Sequence, residues 1–256
     1  MNKFKHSGTL GDIIYALPIM KHFGGGEFYL HLNQIDYLTN LYYGSPPNSF
    51  HQGRMTQADM ESMRLLFEAQ TYITKFAALD PVATEITHNL DKFRTALVGH
   101  PGSYIDMYSD TFRITDPDIK TNLRNNAWLT VPETLSVPNR TLVINRTARW
   151  LPRQLSPMWN QWREQGLEAE AIFLGLPEEY LAFKQATGWD IPYQPTKDLL
   201  EMAQYIAACE QFIGNQSVAL SLAVGLGVDF ACECRDDLPL ERNECFFPDH
   251  PNGNYF

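Results

Sequence analysis

The 256-residue chain is 44% apolar and sets 20 Lys and Arg against 30 Asp and Glu, a formal net charge of −10. That is enough apolar material for one large core or two small ones, and nothing in the composition marks disorder or a fibre. The acidity speaks against a non-specific nucleic-acid binder, whose affinity would come from Lys and Arg, and no run is apolar and long enough to span a bilayer.

Met1 to His6 lacks the apolar core of a secretory leader, so a cytoplasmic protein is expected, and the Asn-x-Ser/Thr triplets at Asn139, Asn145 and Asn215 are read as chance. The cysteines, Cys209, Cys232, Cys234 and Cys245, show no CxxC spacing and read as reduced thiols. Cys232 and Cys234, with Cys245 and His250 downstream, have the chemistry of metal ligands, but alternate residues on a strand explain the pair and no metal is expected.

In chain order, Lys3 to Pro18 reads as a short strand, a glycine turn and an apolar helix. Ser7, Gly8 and Gly11 form the turn, Asp12 falls at the helix start as an N-cap, and Pro18 should kink the helix. A carboxylate beyond the carboxyl end of a strand also suits catalysis, because open α/β sheets hold their ligands there. After a Gly24-Gly25-Gly26 loop comes a strand over Glu27 to Leu32; residues 44 to 54 read as loop, Thr56 to about Gln70 as a helix and Tyr72 to Phe76 as extended. His88, Asp91, His100, Asp106 and Asp110 are scattered through the next region and read as solvated or capping residues.

A domain boundary is expected between Pro132 and Pro138, dividing an N-terminal domain of residues 1–134 from a C-terminal one of 135–256. Beyond it strand and helix alternate. Leu142 to Ile144 is a strand, Ser156-Pro157 opens a helix that stops at Gly166, and Ala171 to Leu174 is the next strand. Helices follow from Pro177 to Gly188 and from Thr196, the latter burying Leu199, Leu200, Ala203, Ile206 and Ala207. Phe212 and Ile213 end another strand, Gly214 and Asn215 allow a turn with positive φ, and a helix begins near Ser217. Val228 to Cys232 reads as the last strand. Repeated strand and helix with short loops implies an α/β fold with a parallel sheet covered on both faces.

Two features of this half point to an anion. Ser217 and Ser221, four apart, would put two hydroxyls on one face at a helix N-terminus, where the dipole is positive. Between Glu133 and Glu164 there is no acidic residue, yet Arg140, Arg146, Arg149, Arg153 and Arg163 all fall there. An acidic protein with one basic window suggests a local anion site.

Gly11-Asp-Ile-Ile-Tyr-Ala-Leu-Pro18 resembles the N-terminal GD-x-x-x-x-LP signature of heptosyltransferase-like (family 9) glycosyltransferases. Phe212-Ile-Gly-Asn-Gln-Ser through Leu222-Ala and Leu226-Gly227 resembles their C-terminal IGNDSG-x-x-HLA-x-ALG signature, in the same order and at a similar separation. The resemblance implies a GT-B-like architecture, two Rossmann-like domains with parallel sheets facing across a cleft, the N-terminal one on the acceptor side and the C-terminal one holding a nucleotide sugar. It implies Asp12 as the catalytic base, with Ser7, Gly8 and Gly11 in the turn beside the substrate. It further implies Asn215, Gln216, Ser217 and Ser221 around the donor diphosphate, with Arg146 and Arg149 neutralising the leaving group.

The implied reaction is transfer of a sugar from a nucleoside-diphosphate sugar to an acceptor hydroxyl, with no cofactor and no metal and with inversion expected. The acceptor is left open between a glycan, a small molecule and a modified nucleic-acid base. Gln216 stands where the family has Asp, Val218 where it has Gly and Ser221 where it has His, so the sugar need not be a heptose. A non-catalytic nucleotide-sugar-binding module and a nucleotide-sugar epimerase remain alternatives. Glu178 or Glu179 would accept from ribose hydroxyls or favour a helix start. Asp116-Pro-Asp118 has the DxD form of metal-dependent glycosyltransferases but, in a proline-bearing loop, reads as a turn.

Overall fold

The structure is a computed structural model that describes residues 1–33, 55–95, 102–237, 239, 240, 243, 247 and 250–256. The loop expected over 44–54, His100 and Cys245 lie outside the described residues. The chain divides into two compact units, Met1–Trp128 and Leu129–Phe256, so the division falls ahead of the Pro132 to Pro138 segment.

In the first unit the strands are β1 (Lys3–His6), β2 (Gly26–Leu30), β3 (Ile73–Ala78) and β4 (His88–Asn89). They pair in parallel in the order β3-β2-β1-β4, the 3-2-1-4 arrangement of a doubly wound sheet. Helix α1 (Leu10–His22) follows β1 and buries every residue from Ile13 to Met20, as a helix in the body of an α/β unit should. It runs on through Pro18 to His22. Its N-cap is Thr9, not Asp12: Asp12 is the third helical residue, and its Oδ2 accepts the Thr9 N–H at 3.4 Å. Gly11 is likewise helical, so the turn is confined to Ser7 to Thr9.

Helix α2 (Gln57–Glu68) begins on a reciprocal Thr56–Asp59 cap and buries Met60, Met63, Leu66 and Phe67 against β2 and β3, where Phe28, Phe67 and Phe76 meet. Helix α3 (Tyr104–Thr111) starts on a Ser103–Asp106 capping box, and α4 (Pro117–Asn125) on Asp116, which accepts the N–H groups of Asp118 and Ile119. The DxD-like triplet is therefore a helix cap.

The second unit holds β5 (Leu142–Asn145), α5 (Met158–Glu164), β6 (Ala171–Leu174), α6 (Pro177–Thr187), β7 (Tyr193–Gln194), α7 (Leu199–Ala208), β8 (Gln211–Asn215), α8 (Val218–Leu226), β9 (Asp229–Glu233) and β10 (Gly253–Tyr255). All pairings are parallel, in the order β10-β9-β8-β5-β6-β7, the Rossmann order read from the far edge. β5 and β6 are buried at every position, which is why Leu142 to Ile144 and Ala171 to Leu174 are apolar runs instead of alternating ones. Between the sheet and its helices, Trp159 packs edge-on to Phe183 and Trp189 beside Leu142, Ile144 and Phe173.

Three expectations are corrected here. Gly214 and Asn215 are not a positive-φ turn but the last two residues of β8, with Gly214 paired to Asn145. Glycine is required at 214 because a Cβ there would meet the Asn145 carbonyl oxygen at 2.3 Å. Helix α7 is capped by Asp198, whose carboxylate accepts the Glu201 N–H, and not by Thr196; Met202 and Gln204 are buried where Leu200 and Ala207 are only half-buried. Finally, β9 is not the last strand, since β10 pairs onto it.

Candidate functional site

Both units place their polar residues at the point where strand order reverses, which is where open parallel sheets hold ligands. In the first unit that point lies between β1 and β4. Asp91, just beyond β4, crosses it: its Oδ1 accepts the Ser7 N–H at 2.8 Å and its Oδ2 lies 3.2 Å from Lys5 Nζ. The Gly8 N–H donates to His6 Nδ1 at 2.8 Å, and His6 Nε2 is 2.6 Å from the Tyr108 hydroxyl, which donates to the Asp12 carbonyl at 2.9 Å. His6 Nδ1 also stands 3.4 Å from Asp91 Oδ1, but the short Gly8 contact makes that nitrogen an acceptor and puts the proton on Nε2.

The turn amides of Ser7 and Gly8 are thus engaged within the protein, and both residues are buried. They shape the turn without offering those N–H groups to a substrate. Asp12 is half-buried at the start of α1. Of the scattered polar residues that are described, Asp91 reaches this turn. Asp106 caps α3 and pairs with Arg124 at 2.6 Å, Asp110 pairs with Lys120, and His88 stacks on Phe4.

In the second unit the reversal lies between β5 and β8, and Ser217 bridges it. Its hydroxyl donates to Asn145 Oδ1 at 2.8 Å and accepts the Leu220 N–H at 3.3 Å, so it caps α8 as expected. Asn145 Nδ2 donates in turn to the Leu174 carbonyl at the end of β6. Gly175 follows with φ +146, and a Cβ there would crowd both Asn145 Nδ2 and Glu179 Oε2. Glu179 accepts the Leu176 N–H at 2.9 Å; burial pushes its carboxyl pKa up, and that capping bond opposes the rise. The C-terminal ends of three adjacent strands therefore meet around the start of α8, with Gln216 and Ser217 half-buried on the rim.

Three expected donor-site residues are engaged within the unit. Ser221 is fully buried and its hydroxyl donates to the Val218 carbonyl, so it does not share an open face with Ser217. Asn215, also fully buried, grips the segment after β5: its Oδ1 accepts the Thr147 N–H at 2.9 Å and its Nδ2 donates to the Thr147 and Arg149 carbonyls. Arg146 is buried and forked onto Glu233, Nε to Oε2 at 2.6 Å and Nη2 to Oε1 at 3.3 Å, and Trp159 Nε1 donates to the same carboxylate at 2.9 Å. Its charge is neutralised inside the unit.

The arginine window is not one site either. Arg140 donates to the Ala169 carbonyl and Arg163 pairs with Glu168, both ahead of β6 and away from the rim. Arg149 remains exposed there, its guanidinium 5.7 Å from the centre of the Trp150 ring, over which Arg235 also lies at 5.0 Å. Trp150 has φ +58, rare for a bulky residue, and the segment carrying it is fastened by Asn215, by Arg146–Glu233 and by the Arg153 N–H on Asp236.

Sequence reasoning missed His6, Tyr108, Asn145 and Glu233. A lone histidine ending one short strand and a lone carboxylate ending another were the only signals. Among the described residues no three His, Cys, Asp or Glu side chains gather as metal ligands would, and the Cys232 and Cys234 sulfurs are 3.9 Å apart. No helix of the described residues is long and apolar enough to cross a membrane.

No protein-family model and no curated protein matches the sequence. Among solved structures, the chain is similar to a family 9 glycosyl transferase from Veillonella parvula DSM 2008, with TM-score 0.62 and 11% identity over 99% of this chain and 86% of that one. It is similar to the iron-containing dodecameric glycosyltransferase TibC from enterotoxigenic E. coli H10407 (TM-score 0.58, 13% identity), covering 98% of this chain and 61% of that one. It is also similar to the E. coli ADP-heptose LPS heptosyltransferase II (TM-score 0.52, 12% identity), over 100% and 90% of the two chains. With two parallel α/β units of Rossmann order, the chain has the GT-B-like fold of the family 9 glycosyltransferases.

Proposed function

We propose that the chain is a glycosyltransferase that moves a sugar from a nucleoside-diphosphate sugar to an acceptor hydroxyl, with inversion and without a metal. The observation that carries this reading is the meeting of Asn145, Gly175 and Ser217 at the ends of adjacent parallel strands, around the N-terminus of α8. A helix start at a strand-order reversal is suited to a diphosphate, and the fold likeness to an ADP-heptose heptosyltransferase supports a nucleotide sugar as the ligand. Ser217 and the first-turn amides of α8 hold the diphosphate, with Gln216 beside them and Arg149 supplying the exposed positive charge.

The acceptor oxygen attacks the anomeric carbon as the bond from that carbon to the phosphate oxygen breaks. Asp12 takes the acceptor proton, and the nucleoside diphosphate leaves with the electron pair. Charge grows on the departing phosphate, so preorganised N–H dipoles and a guanidinium aimed there stabilise the transition state more than the ground state.

Incubation with a panel of nucleoside-diphosphate sugars and candidate acceptors, glycans and modified and plain DNA among them, tests this through nucleotide release. Turnover that Asp12→Ala lowers about 100-fold or more, leaving a measurable residual rate, is expected; equal turnover by the variant removes Asp12 from its role. One observation favours a second reading, a non-catalytic nucleotide-sugar-binding module. Ser221, where the family has His, is buried and bonded within its own helix. Donor binding by calorimetry with no turnover on any acceptor would establish that reading.

A further inference from the structure

The β1–α1 turn and the start of α1 are held from beneath by a directional chain of hydrogen bonds. It runs from the Gly8 N–H to His6 Nδ1, from His6 Nε2–H to the Tyr108 hydroxyl, and from that hydroxyl to the Asp12 carbonyl. Its first donor and last acceptor lie in one short segment, Gly8 to Asp12, while Tyr108 comes from α3, 102 residues beyond His6. The His6 and Tyr108 side chains are fully buried, and Tyr108 stacks on Phe93 at 4.2 Å between ring centres.

A His–Tyr pair in a dry core is costly unless its polar atoms are matched, and a matched network specifies one arrangement where an apolar pair would tolerate several. The chain ends on the backbone carbonyl of Asp12, in the first turn of α1. What it fixes is the rotation of the first helical turn, and with it the direction of the Asp12 side chain.

We propose that His6 and Tyr108 are positioning residues that hold Asp12 in its productive orientation; the inference rests on the reading of Asp12 as the base. Misplacing a reacting group by about 1 Å costs on the order of 100-fold in rate, so a loosened first turn should act on kcat.

The test uses the full chain with Tyr108→Phe, which keeps the stacked ring and removes the hydroxyl. His6→Gln and His6→Ala form a conservative and a disruptive pair, since a Gln amide can still donate to Tyr108. Tyr108→Phe is expected to lower kcat roughly tenfold or more with donor KM within about twofold, and to speed amide exchange over residues 9–16 by about tenfold. His6→Gln should retain more activity than His6→Ala, and Tyr108→Phe should cost nothing further in an Asp12→Ala background.

Wild-type kcat and exchange in Tyr108→Phe would overturn the inference, as would a change confined to KM or an equal loss with Asp12 already removed. Full turnover by Asp12→Ala would instead overturn the base reading. Exchange over residues 9–16, measured in the same variants, separates that failure from failure of the clamp itself.

Discussion

Replacing Glu233 with Gln removes one charge from a carboxylate that is 1% exposed and leaves its volume unchanged. Arg146, 8% exposed, then keeps a guanidinium in the interior without a counter-charge, and Trp159 Nε1 faces an amide in place of a carboxylate. Removing one member of a buried ion pair costs about 3–5 kcal/mol. The Gln oxygen still accepts one N–H, so the lower figure, about 3 kcal/mol, applies. For a unit the size of Leu129–Phe256 this lowers Tm by roughly 10–15 °C.

Tryptophan fluorescence during heating is the suitable assay, because Trp150, Trp159, Trp162 and Trp189 all lie in the second unit and Trp159 touches the altered group. The control is Asp190→Asn, which breaks an exposed pair with Lys184 and should cost below about 1 kcal/mol. A Glu233→Gln loss no larger than the control's would refute the assignment of Arg146 to structure and return it to the donor site.

Gly214→Ala drives a Cβ to 2.3 Å from the Asn145 carbonyl and 2.8 Å from the Phe212 ring, so a loss of about 3 kcal/mol is expected in a denaturant melt; a neutral effect would mean β5 and β8 do not approach this closely. Arg149→Ala, at an exposed position, should leave Tm unchanged and weaken nucleoside-diphosphate binding about tenfold by calorimetry, whereas unaltered affinity would take Arg149 out of the donor site. Burial raises the Glu179 carboxyl above its ordinary value of 4.5, so the stability this group contributes is fully present below that value and is lost as pH rises through the raised one. Glu179→Gln should therefore gain in Tm on the wild type as pH rises above about 4.5; a pH-independent difference would contradict the raised pKa.

The second unit was the more legible because its strands are central and buried, and it is punctuated by a proline at a helix start and glycines at helix ends. Gly166, Gly188 and Gly227 all adopt the positive φ that ends a helix. β7 and β10 were illegible for want of length, two and three residues carrying no periodicity. Gly214 misled because glycine signals equally a turn and a close approach of backbones, and only the β5–β8 pairing separates the two.

The arginine window misled for a related reason. Spacing reports charge density, but Arg146 finds its partner 87 residues away, on a strand whose last residue was not assigned to it. Ser217 was legible as a cap because local helix-start chemistry fixes it, whereas Asp12, expected as a cap, is the third helical residue behind Thr9. His6 and Tyr108 were not legible, because their meaning lies in a bond between distant elements.

The most direct measurement is a crystal of the protein grown with a nucleoside diphosphate. The account predicts the diphosphate at the start of α8, against Ser217 and the first-turn amides, with Arg149 turned toward it. A nucleotide bound elsewhere in the second unit, or on the first unit alone, would contradict it.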